Sequence, residues 1–295
     1  MSADQKTASP LRTVLVVGIV VLALVAGAFG LYRWASTRWT AAPAPPGARC
    51  EARIGGATAS LTIEQATNAS IIAGLAAQRG LAPRAVSIAL TTAFQESGIR
   101  NLDYGDRDSL GMFQQRPSQG WGTPEQVMDP YYSTAKFFDV MVTVTDWPTA
   151  DIGDVAQAVQ RSGFPDAYDK HIETAKKLAS ALAGETPAAW SCLVRDPGPA
   201  APDQLLDALT RAYGGTITAA HRPADGTTPA TLTLTAASEP VAWSAGAFAQ
   251  SWATTTGVTA VTVGGSGWTA AANALSGWID IPGSTAAPTT VVVTF

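Results

Sequence analysis

Apolar and polar positions follow three regimes along the chain. From Thr13 to Leu31 no charge interrupts the apolar run, which Arg12 and Arg33 bracket. About 20 such residues match a bilayer core, so the pattern predicts a transmembrane anchor over 13–32 behind a cytoplasmic tail, 1–12. Trp34 and Trp39 follow at the depth where aromatic rings favour headgroups. The competing reading is a cleaved signal peptide, with Ala26-Gly27-Ala28 as its small-residue site; the continuation of the run beyond it favours the anchor. Residues 33–49 are rich in Pro and Ala and read as an extended, stiff linker.

Over 50–192 the period becomes helical. Thr62 and Gln65 have capping-box spacing, and Ile63, Ala66, Ile72 and Leu75 follow on one face up to Gly80. Pro83 stands at a first-turn position, and Val86, Ala89, Leu90, Ala93 and Phe94 continue a face to Gly98. Asp129-Pro130 starts another helix, and shorter ones follow from about Asp154 and Pro165 to near Gly184. Between Gly98 and Thr123 no period is sustained, and Gly, Asp and Gln predict loop with short turns.

Beyond a second Pro-rich stretch, 193–202, the pattern mixes. A helix is expected over Asp203–Tyr213, strands at Thr216–Ala220, Thr231–Thr235, Thr259–Val263 and Thr290–Phe295, and a helix over Ser244–Thr255. The expected fold class is thus a mainly α domain over 50–192 and a small α+β domain over 203–295, preceded by one transmembrane helix. After Asp225 only Glu239 and Asp280 are charged in this tail. So sparse a surface is expected to pack on the middle domain, on a second copy, or on another protein. Trp243, Trp252, Trp268 and Trp278 are either sugar-stacking residues or core.

Composition narrows the function classes. The 295 residues are 46% hydrophobic and 14% charged, enough for a core, with a net charge of −4 and no basic block. Nucleic acid is therefore not an expected partner. Two His and two Cys are too few for a zinc or iron–sulfur site, so no metal or cofactor is expected. Cys50 and Cys192 bracket the middle segment. They are either a disulfide tying its ends or two unrelated thiols; the first places these domains outside the cytoplasm.

The chemistry is most legible around Glu96, which ends an apolar helix just before Gly98. A carboxyl held against apolar walls there has a raised pKa and suits general acid catalysis, whereas a solvated helix-end carboxylate does not. Gln95-Glu96-Ser97 is followed, fifteen positions after the Glu (96 to 111), by Gly111-Met112-Phe113-Gln114. This resembles the lysozyme-like soluble lytic transglycosylases and goose-type lysozymes, whose pattern is Glu-Ser and then Gly-Leu-Met-Gln at that separation. The resemblance covers about residues 62–183. It implies that Glu96 is catalytic acid and base, that Ser97 orients it, and that Gln114 contacts the glycan.

The family's third motif, Ala-Tyr-Asn-Ala-Gly, is matched by Ala158-Val159-Gln160-Arg161-Ser162-Gly163. Gln160 and Arg161 replace its Tyr and Asn. Gln160 can still donate a hydrogen bond, and either Tyr168 or Tyr104 is left to supply the phenol. Asp103, Asp106 and Asp108 lie between the first two motifs. Asp106 is the expected auxiliary carboxylate, or else a turn former. Gln115 and Trp121, after the second motif, suit a sugar cleft; the alternative for Trp121 is packing under its own loop.

The resemblance implies a membrane-anchored peptidoglycan glycosidase that cleaves the bond between N-acetylmuramic acid and N-acetylglucosamine with a single Glu. It would be a lytic transglycosylase or muramidase, single-pass in the cell membrane with its domains extracytoplasmic, with glycan strands as partner and a cell-wall or divisome protein as the expected partner of the tail domain. The alternative is a non-catalytic wall-binding or morphogenesis module, motivated by Gln160-Arg161 and the sparsely charged tail.

Overall fold

The computed structural model describes residues 47–161, 165–271, 275 and 277–295. The tail 1–12, the anchor expected over 13–32 and nearly all of the first linker lie outside them, as do Ser162 and Gly163. Among the described residues no helix is long and apolar enough to cross a membrane.

The chain opens with a hairpin. Strands β1 (Arg49–Ile54) and β2 (Ala57–Thr62) pair antiparallel across Gly55-Gly56. These glycines have φ of +58° and +78°, the mirror-image turn geometry that a two-residue hairpin needs and that residues with a Cβ resist. Strand β3 (Trp190–Leu193) returns to the other edge of β1, setting Cys192 opposite Cys50. The two cysteines form a disulfide, 142 residues apart in sequence.

Helix α1 (Ile63–Gln78) leaves β2 at the Thr62–Gln65 capping box. Helix α2 (Pro83–Ser97) begins on Pro83. A loop with one 3-10 turn leads to the short α3 (Pro124–Val127), then α4 (Pro130–Met141), capped by Asp129. Helices α5 (Ile152–Gln160) and α6 (Asp169–Leu182) complete the segment, and α2 packs along α6 and α5.

After α7 (Pro202–Tyr213) come β4 (Ile217–Arg222), β5 (Thr231–Ala236), α8 (Glu239–Ser251) and the one-turn α9 (Ala253–Thr256). Strands β6 (Ala260–Val263), β7 (Ser266–Thr269), β8 (Ile279–Asp280) and β9 (Thr290–Thr294) follow. The six strands form one antiparallel sheet in the order β4-β5-β9-β6-β7-β8. Helix α8 covers it with an almost wholly buried surface of small residues, Trp243 and Phe248.

The expected fold class is corrected on this evidence. With 44% helix, 19% strand and two antiparallel sheets, the architecture is mixed helix and sheet rather than mainly α, and among the described residues no helix is long and apolar enough to cross a membrane. The first sheet escaped the helical reading because β1 and β2 are six residues each and the β1–β3 pairing is remote in sequence.

The tail packs on the middle segment, and the described residues belong to one compact unit with a continuous core. Helix α1 is its axis, touching α2, α4, α7 and α8. At Gly74 an added Cβ would lie 2.8 Å from the Ala212 Cβ, so α1 and α7 approach closer than a larger residue permits. The buried Tyr213 hydroxyl bonds Ser244 across 2.8 Å, joining α7 to α8. The indole N–H groups of Trp278 and Trp190 donate to the Trp190 carbonyl and the Ser251 hydroxyl, joining the tail to β3. Trp243 and Trp268 are buried, and Trp252 stacks on Phe248; these three belong to packing rather than to a sugar platform.

Candidate active site

Glu96 sits in the last turn of α2. Gly98, at φ +67°, caps the helix, and the Ile99 N–H reaches back to the Ala93 carbonyl. This left-handed reversal stops the helix just beyond Glu96 and turns the chain into the 98–123 loop.

Ser97 holds that loop. Its hydroxyl is fully buried, shares its one proton between the Met112 carbonyl (2.7 Å) and the Ala93 carbonyl (3.1 Å), and accepts from the Arg100 N–H. Met112 and Phe113 are buried, and Phe113 stacks on Phe137. Gly111, at φ +76°, passes so close to α3 that a Cβ would lie 2.7 Å from the Val127 carbonyl oxygen. Leu110 and Gln115 exchange backbone hydrogen bonds at 3.0 Å. Apolar Met112-Phe113 are thus pinned beneath the loop, and Gln114, with φ +48°, is turned toward the cavity. Its amide donates to the Gly111 and Tyr104 carbonyls.

Two donors converge on Glu96. The Tyr168 hydroxyl, on a buried side chain just before α6, donates to Oε1 at 2.7 Å. The Gln160 side chain, at the end of α5, hydrogen-bonds the carboxyl and also donates to the Phe113 carbonyl at 2.6 Å. Burial pushes the Glu96 carboxyl up to about 7, and the phenol and amide offset part of that rise. Beside it, Gln95 meets the His171 ring at 3.3 Å, and that ring stacks on Phe94. Burial holds His171 down to about 4, so it is neutral near pH 7.

The half-buried Glu96 opens on a cavity of about 700 Å³, also lined by Gln114, Gln160, Arg107, Arg116 and Arg161. That volume falls in the range of ligand sites. A smaller cavity of about 230 Å³, beside Trp121 and Val140, shares Gln119, Gln160 and Arg161 with it. The two are adjoining compartments along the end of α5.

The expected site residues separate accordingly. Glu96, Gln114, Gln160 and Asp106 share the larger cavity, and half-buried Trp121 lines the smaller. Asp106 stands exposed at the lip, 3.8 Å from Arg107. Tyr104 is exposed and meets the site through its carbonyl; Tyr168 is the phenol on Glu96. Gln115 is 1% exposed and donates to the Ser133 carbonyl, so it braces the loop against α4 rather than facing sugar. Ser97 is equally enclosed and acts on the loop. Asp108 fastens the loop too: the Ser118 N–H and Arg116 hold its carboxyl well below the usual range.

Arg107, Arg116 and Gln119 line the cavity without having been singled out; a loop without period gives no sign of which side chains turn inward. Among the described residues no group of three or more His, Cys, Asp or Glu is placed to hold a metal ion. No protein-family model matches the chain, and no curated protein matches it.

Proposed function

We propose that the protein is a peptidoglycan glycosidase, a lytic transglycosylase or muramidase, with Glu96 as its single acid and base. The observation that carries this reading is a carboxyl titrating at about 7, at the edge of a sugar-sized cavity, with two neutral donors on it. Such a group holds a proton near neutral pH and can also release it.

In the first step Glu96 gives its proton to the glycosidic oxygen as the bond to the muramyl C1 breaks. The resulting carboxylate is stabilised by the Tyr168 hydroxyl and the Gln160 amide. In the second step it takes a proton from the nucleophile that attacks C1. Attack by water leaves a reducing end; attack by the sugar's own 6-hydroxyl leaves a 1,6-anhydro end. Gln114 is assigned to glycan hydroxyls and Trp121 to a sugar face in the adjoining compartment.

Asp106 is exposed and beside a guanidinium, which suits it poorly to replace the second carboxylate of an ordinary glycosidase. The reading therefore favours substrate-assisted chemistry. The Cys50–Cys192 disulfide supports an oxidising, extracytoplasmic location, where the wall lies.

Digestion of purified sacculi, with mass analysis of released fragments, tests the proposal. Anhydromuramyl or reducing muramyl ends support it. Sacculi that bind the protein and release nothing favour the non-catalytic wall-binding reading.

A further inference from the structure

We propose that Arg161, together with Arg107, binds a carboxylate on the glycan, so that the cleft selects anionic over neutral strands. The identity of the ligand rests on the glycosidase reading; the anion preference rests on the cavity itself.

Among the described residues, six that are not glycine have positive φ, and three of them, Arg107 (+57°), Gln114 (+48°) and Arg161 (+52°), line the one 700 Å³ cavity. Side chains with a Cβ resist this conformation, and strain gathered at a cavity is what a functional surface retains. Arg161 occupies the left-handed cap of α5, where Gly or Asn is the usual choice. Among the described residues no hydrogen bond or ion pair holds its guanidinium, and it lines both compartments. Arg116 is already engaged, by Asp108 at 2.8 Å. Arg107 has only the exposed Asp106 at 3.8 Å. Two cations thus reach the cavity from separate segments, the 98–123 loop and the α5 terminus, without a strong internal partner.

Muramic acid differs from glucosamine by a 3-O-lactyl group. On strands stripped of peptide its carboxylate is free; on strands bearing peptide that group is an amide and the peptide supplies the carboxylates. A guanidinium meets either in the same planar, two-bond geometry.

The test is equilibrium binding to the full chain carrying Glu96→Gln, which prevents turnover. The probes are peptide-stripped glycan strands, peptide-bearing strands and a neutral N-acetylglucosamine oligomer. Charged strands are expected to bind about tenfold tighter than the neutral oligomer, a difference of about 1.4 kcal/mol. Arg161→Gln should bring that ratio close to one, and Arg161→Lys should restore part of it. Gln and Lys make the same backbone demand as Arg, so the helix end is kept. The strand type that loses more affinity in Arg161→Gln identifies the source of the carboxylate. Equal binding of charged and neutral strands, an unchanged ratio in Arg161→Gln, or no binding of charged strands would each overturn the inference. An Arg161-dependent preference in a protein that cleaves no glycan would leave this inference standing and remove the glycosidase; cleavage without that preference does the reverse.

Discussion

The Tyr168 hydroxyl donates to Oε1 of Glu96 across 2.7 Å, although 72 positions separate the two residues. The bond favours the charged form of a carboxyl that burial otherwise keeps protonated. It binds best when Glu96 has given up its proton, which is the moment when the proposed first step most needs it.

Tyr168→Phe should therefore raise the Glu96 pKa above about 7 and move the alkaline limb of the kcat profile to higher pH. The weaker support for the carboxylate should also lower kcat by about tenfold. A pH–rate series on the variant and the parent measures both, and an unmoved limb would separate Tyr168 from the chemistry.

The same carboxyl ties stability to pH. Its folded pKa lies above its ordinary value of 4.5, so the folded state holds the proton more tightly. Its favourable contribution is full below that ordinary value and is lost as pH rises through about 7. Glu96→Gln cannot ionise. The variant's Tm should match the parent's near about pH 4 and exceed it near about pH 8. Parallel thermal scans across that window would reveal the divergence.

Much of this arrangement is local, and that part could be read from residue order. The Thr62–Gln65 box, Pro83 and Asp129-Pro130 start the helices they announce, because a cap acts within one turn. Glu96 before Gly98 likewise marks a helix end. The first sheet needs β1 beside β3 across most of the segment, a pairing that no local signal announces. Tyr168 and Tyr104 were equally apt as the phenol until α6 delivered one of them. Nor does a loop without period tell that Gln115 turns inward while Arg107 and Arg116 line the cleft.

Adjacent glutamines should respond differently. Gln115→Ala leaves the Ser133 carbonyl without its side-chain donor and should cost about 1–3 kcal/mol in denaturant unfolding. Gln114→Ala removes a cavity-facing amide and should raise KM on glycan with a much smaller stability loss. Equal stability losses in the two variants would contradict this division.

Ser97→Ala strips the Met112 carbonyl and the Arg100 N–H of a buried partner at once. A loss of about 1–3 kcal/mol is expected, with faster hydrogen exchange across the Gly111–Gln115 loop. Unaltered exchange there would show that the loop is held by other means.

Reducing the Cys50–Cys192 bond releases a closure of 142 residues. Stability should fall by about 2–5 kcal/mol, and the Cys50→Ser, Cys192→Ser double variant should reproduce the loss. Calorimetry with and without reductant measures it; coincident transitions would contradict it.

Fragment release from purified sacculi by the parent and by Glu96→Gln tests the central claim most directly. The account predicts soluble muramyl fragments from the parent. It predicts a fall of about 100-fold or more in Glu96→Gln, whose unfolding at about pH 4 stays that of the parent. Equal release by the two proteins, or none by the parent, would contradict it.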